Sequence, residues 1–294
     1  MALGQENQRK RTYPPVMEGC TEEVYKRVGA AKLKLYVFTP ESHEANESRP
    51  AIVFFFGGGW RGGTPQQFEQ HCRYLSGRGM IAITADYRVA SRHKTKATAC
   101  VMDGKSAIRW VRKNAARLGV DPDRIVAAGG SAGGHVAACT ATVDGFEDVS
   151  DDLAISPKPN GLALFNPVLV LWNVAGEKLI PAEKAKALED RMGTQPKKLS
   201  PLHTMKSRLP PTIIFHGTAD NTVSFRSAEL FVEKAKTQSS DIVIDGYEKQ
   251  GHGFFNYGRG KNEFYLATVK ALDRFLVDRG LLEGPSPEAV KIYD

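Results

Sequence analysis

The chain alternates between short apolar runs and longer segments in which apolar residues recur every three or four positions. The runs "KLKLYVF", "AIVFFF" and "MIAITADYR" have the composition of strands. "AIVFFF" is continuously apolar, as expected of a strand buried on both faces. The segments "PQQFEQHCRYLSGRG" and "KATACVMDGKSAIRWVRKNAARLG" have helical spacing, and glycine ends each of them. From "AIVFFF" onward, strands and helices therefore alternate.

The same alternation continues to the end of the chain. The strand "DRIVAAGG" leads directly into the helix "SAGGHVAACTATV". The later elements are the strands "GLALFNPV", "PPTIIFHG" and "DIVIDGYE" and the helices "FRSAELFVEKAKT" and "EFYLATVKALDRFLVDRG". Strands that alternate with helices form parallel pairs, so the sequence predicts an α/β fold with a mostly parallel central sheet covered by helices on both faces.

The pattern also suggests how the chain is divided. Residues 1–20 are polar and predict a flexible N-terminal tail, and residues 21–294 predict a single α/β domain. Between residues 171 and 207 the alternation loosens, which indicates an inserted segment that is a candidate lid or small cap. An ordinary long surface excursion is the alternative.

Composition and charge narrow the class of protein. Hydrophobic residues make up 41% and charged residues 25% of the 294 residues, which is ordinary for a soluble globular protein. No apolar run reaches the roughly 20 residues of a membrane span, and the N-terminus lacks the apolar core of a signal peptide. Both a mature secreted protein and a cytoplasmic one fit this pattern. The net charge of +7 is scattered apart from residues 9–11, so it does not indicate nucleic-acid binding.

The most informative segment is "IVAAGGSAGGHVAA", in which Gly129, Ser131 and Gly133 form a G-x-S-x-G pattern between a strand and a helix. This pattern places a serine on a strained turn above the edge of the sheet, with the helix N-terminus behind it. The sequence therefore predicts Ser131 as a nucleophile. A glycine-rich turn that binds phosphate or simply packs is the alternative.

Serine needs a base, and the base needs an orienting carboxylate. His252 in "KQGHGFFN" and Asp220 in "FHGTADNTV" both follow predicted strands, and parallel strands end at the same edge of a sheet. The order Ser131, Asp220, His252 is the order of the α/β-hydrolase triad. The other candidates are weaker: His216 and Asp86 are predicted to be structural, His135 points along the helix, and Asp245 lies within a strand.

Attack by serine on an acyl carbon creates an oxyanion that needs N–H donors. The amide of Ala132 follows the nucleophile, and "FFFGGGW" lies after an earlier strand, where further donors are expected. Gly58 and Gly59 are the predicted donors, with Gly57 as the bend. Trp60 and Arg61 are predicted to flank the substrate pocket.

The motifs "FGGGW", "GGSAGG", "HGTAD" and "GHGF" together resemble those of the α/β-hydrolase esterases related to hormone-sensitive lipase, nearest to bacterial acetyl xylan and feruloyl esterase-like carboxylesterases. The resemblance covers about Leu33 to Leu281. It implies a hydrolase of short acyl esters, acetyl or hydroxycinnamoyl, on a small-molecule or carbohydrate alcohol. It implies an acyl-enzyme and neither a cofactor nor a metal. Two positions depart from the family pattern: Phe56 replaces a histidine before the glycines, and Gly130 replaces an aspartate before the serine.

Two other functions remain open from the sequence. Serine peptidases of the prolyl-oligopeptidase type share the G-x-S-x-G-G pattern but usually carry a large N-terminal propeller, for which this chain has neither repeats nor length. A non-catalytic binding protein on the same fold typically lacks a member of the triad, and here all three members are present.

Overall fold

The computed structural model describes residues 13–41 and 43–290. Within these residues one sheet of eight strands has the order β1-β2-β4-β3-β5-β6-β7-β8. The strands are Thr21–Val28 (β1), Ala31–Phe38 (β2), Arg49–Phe55 (β3), Ile81–Ala85 (β4), Val120–Gly130 (β5), Gly161–Phe165 (β6), Thr212–Gly217 (β7) and Ile242–Tyr247 (β8). Most of the predicted N-terminal tail, residues 1–12, lies outside the described residues.

Helices cover both faces of the sheet. They are Glu69–Gly77 (α1), Ala90–His93 (α2), Ala97–Lys113 (α3), Ala115–Leu118 (α4), Ala132–Thr142 (α5), Ala182–Met192 (α6), Pro201–Thr204 (α7), Phe225–Thr237 (α8) and Glu263–Asp278 (α9), with short 3₁₀ turns at Pro65–Phe68, Pro196–Leu199 and Gly260–Asn262. No helix in the described part of the chain combines the length and the apolar character that a bilayer crossing requires.

The sheet is parallel from β4 to β8 and antiparallel at one edge. Strands β1, β2 and β4 pair antiparallel, whereas the pairs from β4–β3 to β7–β8 are parallel. The predicted parallel core is thus confirmed. The N-terminal hairpin adds an antiparallel edge because a two-residue turn at Gly29 joins β1, "TEEVYKRV", to β2, and the φ of +55° at Gly29 permits the tight reversal.

Burial explains why the central strands are continuously apolar. The side chains of β3, β4 and β6 are buried except for Arg49, and alternate residues face opposite sides of the sheet. Phe54 stacks on Phe68 on one face at 4.7 Å, whereas Phe55 meets the edge of Tyr87 on the other at 6.4 Å. Each face of the sheet therefore has its own hydrophobic core, and side chains of β5 contribute to both cores.

The segment between residues 171 and 207 contains α6, the turn Pro196–Leu199 and α7. Its ends are held together, because the amide of Leu171 donates to Ser200 Oγ at 3.0 Å and that of Leu202 donates to the carbonyl of Leu169 at 2.9 Å. Helix α6 is mostly exposed, and Met192 is its one buried residue. A mobile lid in this segment stays a prediction.

Candidate active site

Ser131 lies between β5 and α5 at the centre of the sheet. Its φ of 54° and ψ of −117° fall in a region that residues with a side chain avoid. Three backbone hydrogen bonds hold this strained turn. The amide of Ser131 donates to the carbonyl of Phe165 at 2.8 Å, and the carbonyl of Ser131 accepts from the amides of His135 at 3.0 Å and Val168 at 3.3 Å. A Cβ on Gly133 would overlap the carbonyl oxygens of Phe55 and Phe56, so only glycine lets the helix approach β3 this closely.

Asp220 and His252 follow the neighbouring strands β7 and β8, and their loops meet. His252 Nδ1 lies 2.7 Å from Asp220 Oδ2. The same oxygen accepts a hydrogen bond from Asn166 Nδ2 at 2.5 Å. The other oxygen, Oδ1, accepts from the amides of Thr222 at 2.8 Å and Val223 at 2.9 Å. The carboxylate is fixed on all sides before any substrate binds.

This environment keeps Asp220 ionised. Burial by itself raises the pKa of Asp220, but hydrogen bonds from His216, from His252 and from the amides of Val223 and Thr222 outweigh it and hold the pKa well below its usual range. An ionised carboxylate only accepts hydrogen bonds, so Nδ1 of His252 carries a proton. In the neutral imidazole, Nε2 is then the basic nitrogen.

The glycine loop after β3 leaves two backbone donors unused. Gly58 and Gly59 have φ of 128° and 62°, which L side chains rarely adopt. Their amides donate to no acceptor among residues 13–41 and 43–290. The amide of Gly57, in contrast, donates to Gln67 Oε1 at 2.6 Å. Gly57 therefore serves as an anchored bend and leaves its two successors free.

Phe56 stands where the esterases that this sequence resembles have a histidine. The contacts of Phe56 show how the end of β3 is held in place. Its ring stacks on the ring of Tyr87 with centroids 4.1 Å apart. Its carbonyl accepts a hydrogen bond from the Tyr87 hydroxyl at 2.5 Å. Arg92 lies over the outer side of the Phe56 ring at 5.9 Å and donates to the carbonyl of Gly63 at 2.7 Å. The ring and the hydroxyl group of Tyr87 thus support the start of the glycine loop.

A second support comes from Gln67, which connects the glycine loop to the loop of His252. Gln67 Nε2 donates to Asn256 Oδ1 at 2.8 Å. Asn256 Nδ2 in turn donates to the carbonyl of Gly253 at 2.8 Å. The side chains of Gln67 and Asn256 therefore join the amide of Gly57 to the residue that follows His252. We refer to this chain of hydrogen bonds as the Gln67–Asn256 bridge.

Trp60 is held by His135. The indole Nε1 of Trp60 donates to His135 Nδ1 at 3.2 Å, and His135 Nε2 lies 2.8 Å from the carbonyl of Leu199. Burial lowers the pKa of His135 to about 4, against a smaller opposing effect of the Leu199 carbonyl, so the imidazole is neutral at pH 7. His135 thus links the glycine loop to the segment of residues 171–207 through both of its ring nitrogens.

A cavity of about 360 Å³ opens at Ser131. Gly59, Trp60 and Thr222 are among the residues that border it. Its aliphatic walls are Val168, Val170, Leu171, Leu179, Ile180, Pro181, Ala187, Leu188 and Val223. Most of this wall comes from the segment of residues 171–207. The volume lies at the lower end of the roughly 300–1,000 Å³ of ligand pockets, which suits a small ligand.

The predicted site residues are distributed as follows. Ser131, Gly59 and Trp60 border the cavity, and Ala132 is buried as the first residue of α5. Arg61 is exposed and is not among the residues that border the cavity.

The alternative acids and bases have other partners. His216 Nε2 lies 2.9 Å from the carbonyl of Val223 and 3.5 Å from Asp220 Oδ2, so it supports the carboxylate from within β7. Asp245 accepts a hydrogen bond from the Tyr247 hydroxyl at 2.9 Å. Asp86 accepts one from the Tyr13 hydroxyl at 2.6 Å.

Sequence reasoning missed Asn166, Gln67 and Asn256. Asn166 lies directly after β6 with a φ of 41°, and asparagine is among the few residues that tolerate this conformation. The sequence signal for it was therefore the position after a strand. The bridge residues carry no local signal, because 189 positions separate the two amides.

A mostly parallel sheet with a strained serine after its central strand, followed by an aspartate and a histidine after later strands, defines the α/β-hydrolases. Residues 35–235 match the BD-FAE family model. The chain belongs to the BD-FAE family and has the fold of the α/β-hydrolase esterases.

Solved structures support this assignment. Esterase 2 of Thermogutta terrifontis, in a structure phosphonylated by sarin, is 49% identical with a TM-score of 0.90, and the match covers 93% of this chain and 100% of that one. The same esterase with butyrate bound is also 49% identical with a TM-score of 0.90, over 94% and 100% of the two chains.

Curated relatives are named esterases as well. Esterase LipC of Mycobacterium tuberculosis is 27% identical over 70% of this chain and 53% of its own length. Esterase LipQ of the same organism is 31% identical over 62% of this chain and 44% of its own length. The chain thus spans about half the length of the curated relatives it matches.

Proposed function

We propose that the protein is a carboxylesterase that cleaves short-chain acyl esters through an acyl-serine intermediate. The observation that carries this proposal is the ionised Asp220 in contact with His252, in a fold whose strained serine, Ser131, opens onto a small apolar cavity. The acyl groups we propose are acetyl and hydroxycinnamoyl, and the alcohol is a small molecule or a carbohydrate.

In the proposed first step, Ser131 Oγ attacks the ester carbon, and Nε2 of His252 takes the hydroxyl proton. Asp220 keeps the imidazole in the tautomer with the proton on Nδ1 and stabilises the imidazolium that forms. The carbonyl oxygen becomes an oxyanion that accepts from the amides of Gly58, Gly59 and Ala132. His252 then gives its proton to the departing alcohol.

In the second step, water attacks the acyl-serine. Nε2 of His252 removes a proton from the water, and the same three amides stabilise the second oxyanion. Collapse returns the proton to Ser131 and releases the acid. The free amides of Gly58 and Gly59 support their proposed role as oxyanion donors. Both residues already have the positive φ values of the loop conformation before a substrate binds.

The size of the cavity supports a short acyl group. About 360 Å³ must hold the acyl group and part of the alcohol, and Trp60 and Leu188 border that space. The Thermogutta esterase has been solved with butyrate and with propionate bound, which supports the same acyl range for this chain. We propose that Trp60 forms one wall of the substrate pocket and that Arg61 acts at its outer rim.

The first experiment tests the nucleophile. Turnover of p-nitrophenyl acetate by Ser131→Ala should fall about a million-fold relative to the wild type. The Thermogutta esterase is phosphorylated by paraoxon, so paraoxon should inactivate this protein with one equivalent bound to the peptide that contains Ser131. Activity that survives in Ser131→Ala, or label on another residue, would refute the mechanism.

The second experiment tests the substrate class. A panel of p-nitrophenyl esters of rising chain length, acetylated xylan and a feruloyl ester should show turnover of the short esters and a decline for long acyl chains. The matching anilides and peptide amides should be inert. Rapid hydrolysis of the amides would favour a peptidase instead.

A further inference from the structure

The cavity at Ser131 carries positive charge that nothing in the described protein neutralises. Lys184 and Arg191 of α6 border the cavity, and none of the residues around it is an aspartate or a glutamate. Within residues 13–41 and 43–290, neither cation forms an ion pair or a side-chain hydrogen bond, although most other arginines of the chain do.

Arg191 is the more telling of the two cations. Its Nε is buried and has no hydrogen-bond partner in the described structure. Burial lowers the pKa of Arg191, and the positive charge of Arg61 lowers it further. The acidic residues of the same helix, Glu183, Glu189 and Asp190, form no ion pair with it in the part of the chain that the structure describes.

An unpaired, partly buried guanidinium is costly for a folded protein. The buried Nε of Arg191 loses water and gains no acceptor in return. A bound anion would satisfy it, because the planar fork of arginine matches the two oxygens of a carboxylate. Arg191 borders the cavity, and no acidic side chain of the described protein lies there. We therefore expect the substrate to supply the anion.

We infer that Arg191, assisted by Lys184, binds a carboxylate carried by the ester substrate itself, at the end of the substrate remote from the scissile bond. This inference rests on the proposed esterase function and narrows its substrate class to acidic esters. The apolar wall of Val170 and Leu188 would contact the carbon chain between the carboxylate and the reacting carbonyl. No new covalent step is involved, because the subsite only binds.

The test compares matched pairs of esters. On the acyl side, the p-nitrophenyl monoester of glutaric acid carries a carboxylate and p-nitrophenyl valerate does not. On the alcohol side, p-acetoxybenzoate is charged and p-acetoxybenzamide is neutral. In at least one pair the wild type should prefer the charged ester in kcat/KM, and the pair that shows the preference identifies the side on which the carboxylate lies.

Variants then connect the preference to Arg191. Arg191→Met should lower kcat/KM for the preferred charged ester about ten- to hundredfold, the range expected for a lost hydrogen bond to a charged group. The neutral ester should change by no more than about twofold. Arg191→Lys should restore part of the preference. Lys186→Met is the matched control, because it removes an exposed positive charge from the same helix but does not border the cavity.

The outcomes separate the two proposals. If neutral esters are hydrolysed but no charged ester is preferred, or if Arg191→Met lowers both members of a pair equally, the carboxylate subsite is refuted and the esterase function stands. If Lys186→Met has the same effect as Arg191→Met, the preference reflects overall charge and the subsite is again refuted. If neither kind of ester is hydrolysed, the proposed function itself fails.

Discussion

Gln67 and Asn256, 189 positions apart in the chain, are joined by a hydrogen bond of 2.8 Å. One side of this pair holds the amide of Gly57, and the other holds the carbonyl of Gly253, next to His252. The loop with the free amides and the loop with the histidine are therefore fixed to each other directly, without passing through the sheet. We therefore expect a shift of one loop to displace the other.

Breaking this bridge should impair turnover more than binding. We expect Gln67→Met to lower kcat at least about tenfold with little change in KM, because misplacement of catalytic groups by about 1 Å can cost a hundredfold. The measurement is steady-state hydrolysis of p-nitrophenyl acetate.

Gln66→Met is the matched control for the bridge, since the neighbouring glutamine makes no side-chain hydrogen bond within the described residues. In a double-mutant cycle with Asn256→Ala, the two changes should couple by about 0.5–3 kcal/mol. An unchanged kcat in Gln67→Met, with only a lower melting temperature, would show that the bridge has a purely structural role.

Two adjacent glycines should respond differently to alanine. A Cβ on Gly58 would overlap the carbonyl of Gly62, so Gly58→Ala must displace the loop. A Cβ on Gly59 meets nothing within 4 Å, and only its positive φ makes alanine unfavourable, by about 1–2 kcal/mol. We expect Gly58→Ala to lose most of its kcat and Gly59→Ala to keep much of it.

The readout for this pair is kcat together with the urea midpoint, which separates loop displacement from unfolding. An equal loss of kcat in both variants would contradict this prediction. It would show that the positive φ of the two glycines limits activity, and that the lack of space around Gly58 does not.

The indole nitrogen of Trp60 should contribute to stability through His135. Trp60→Phe keeps an aromatic wall but leaves the buried Nδ1 of His135 without its donor. The expected loss is about 1–3 kcal/mol in the free energy of unfolding, measured with urea. Trp172→Phe serves as the control, because Trp172 is 40% exposed, and surface changes usually remain within about 0.5 kcal/mol. A loss no larger than that of the control would refute the role of this hydrogen bond.

His71 should make the protein sensitive to acid. It is fully buried in an aromatic cluster with Phe68 and Tyr265, and neither ring nitrogen has a hydrogen-bond partner in the described structure. Burial lowers the pKa of His71 to about 3. The unfolded chain binds the proton below about pH 6.5 and the folded chain does not. His71 therefore does not lower the free energy of unfolding above about pH 6.5. Below that pH it lowers the free energy of unfolding by up to about 1.4 kcal/mol for each pH unit.

The comparison with His71→Phe isolates this contribution. Asp86 acts in the opposite sense, because burial raises its pKa to about 6 against the hydrogen bond from Tyr13, but it is present in both proteins and cancels in their difference. The stability advantage of His71→Phe over the wild type should grow between pH 6 and pH 4 in urea unfolding. A constant difference over that range would refute the assignment.

The parts of the fold that were predictable have local signals. Apolar runs such as Ala51–Phe56 reveal buried strands, and the glycines around Ser131 reveal the turn, because both features arise between neighbours in the chain. The prediction of the pairing of Asp220 with His252 needed one more step, the rule that parallel strands end at one edge.

Features that depend on distant contacts were not accessible in this way. The hydrogen bonds of Gln67 and of Asn166 join residues far apart in sequence, and amides occur too widely to indicate a partner. Helix α6 was also missed, because it buries little beyond Met192 and so lacks the apolar stripe that marks a packed helix. Strand β1 was missed as well, since it lies at the edge and most of its residues are only partly buried or exposed.

The origin of the cavity wall has a consequence for how this protein can diversify. The strand ends supply the groups proposed for bond cleavage, whereas α6 and the residues just before it supply seven of the 17 residues that border the cavity. Substitutions between Leu179 and Arg191 can thus alter which esters are admitted without disturbing a single hydrogen bond around Asp220. Directed evolution confined to that stretch offers a route to new selectivity with the reaction chemistry left intact.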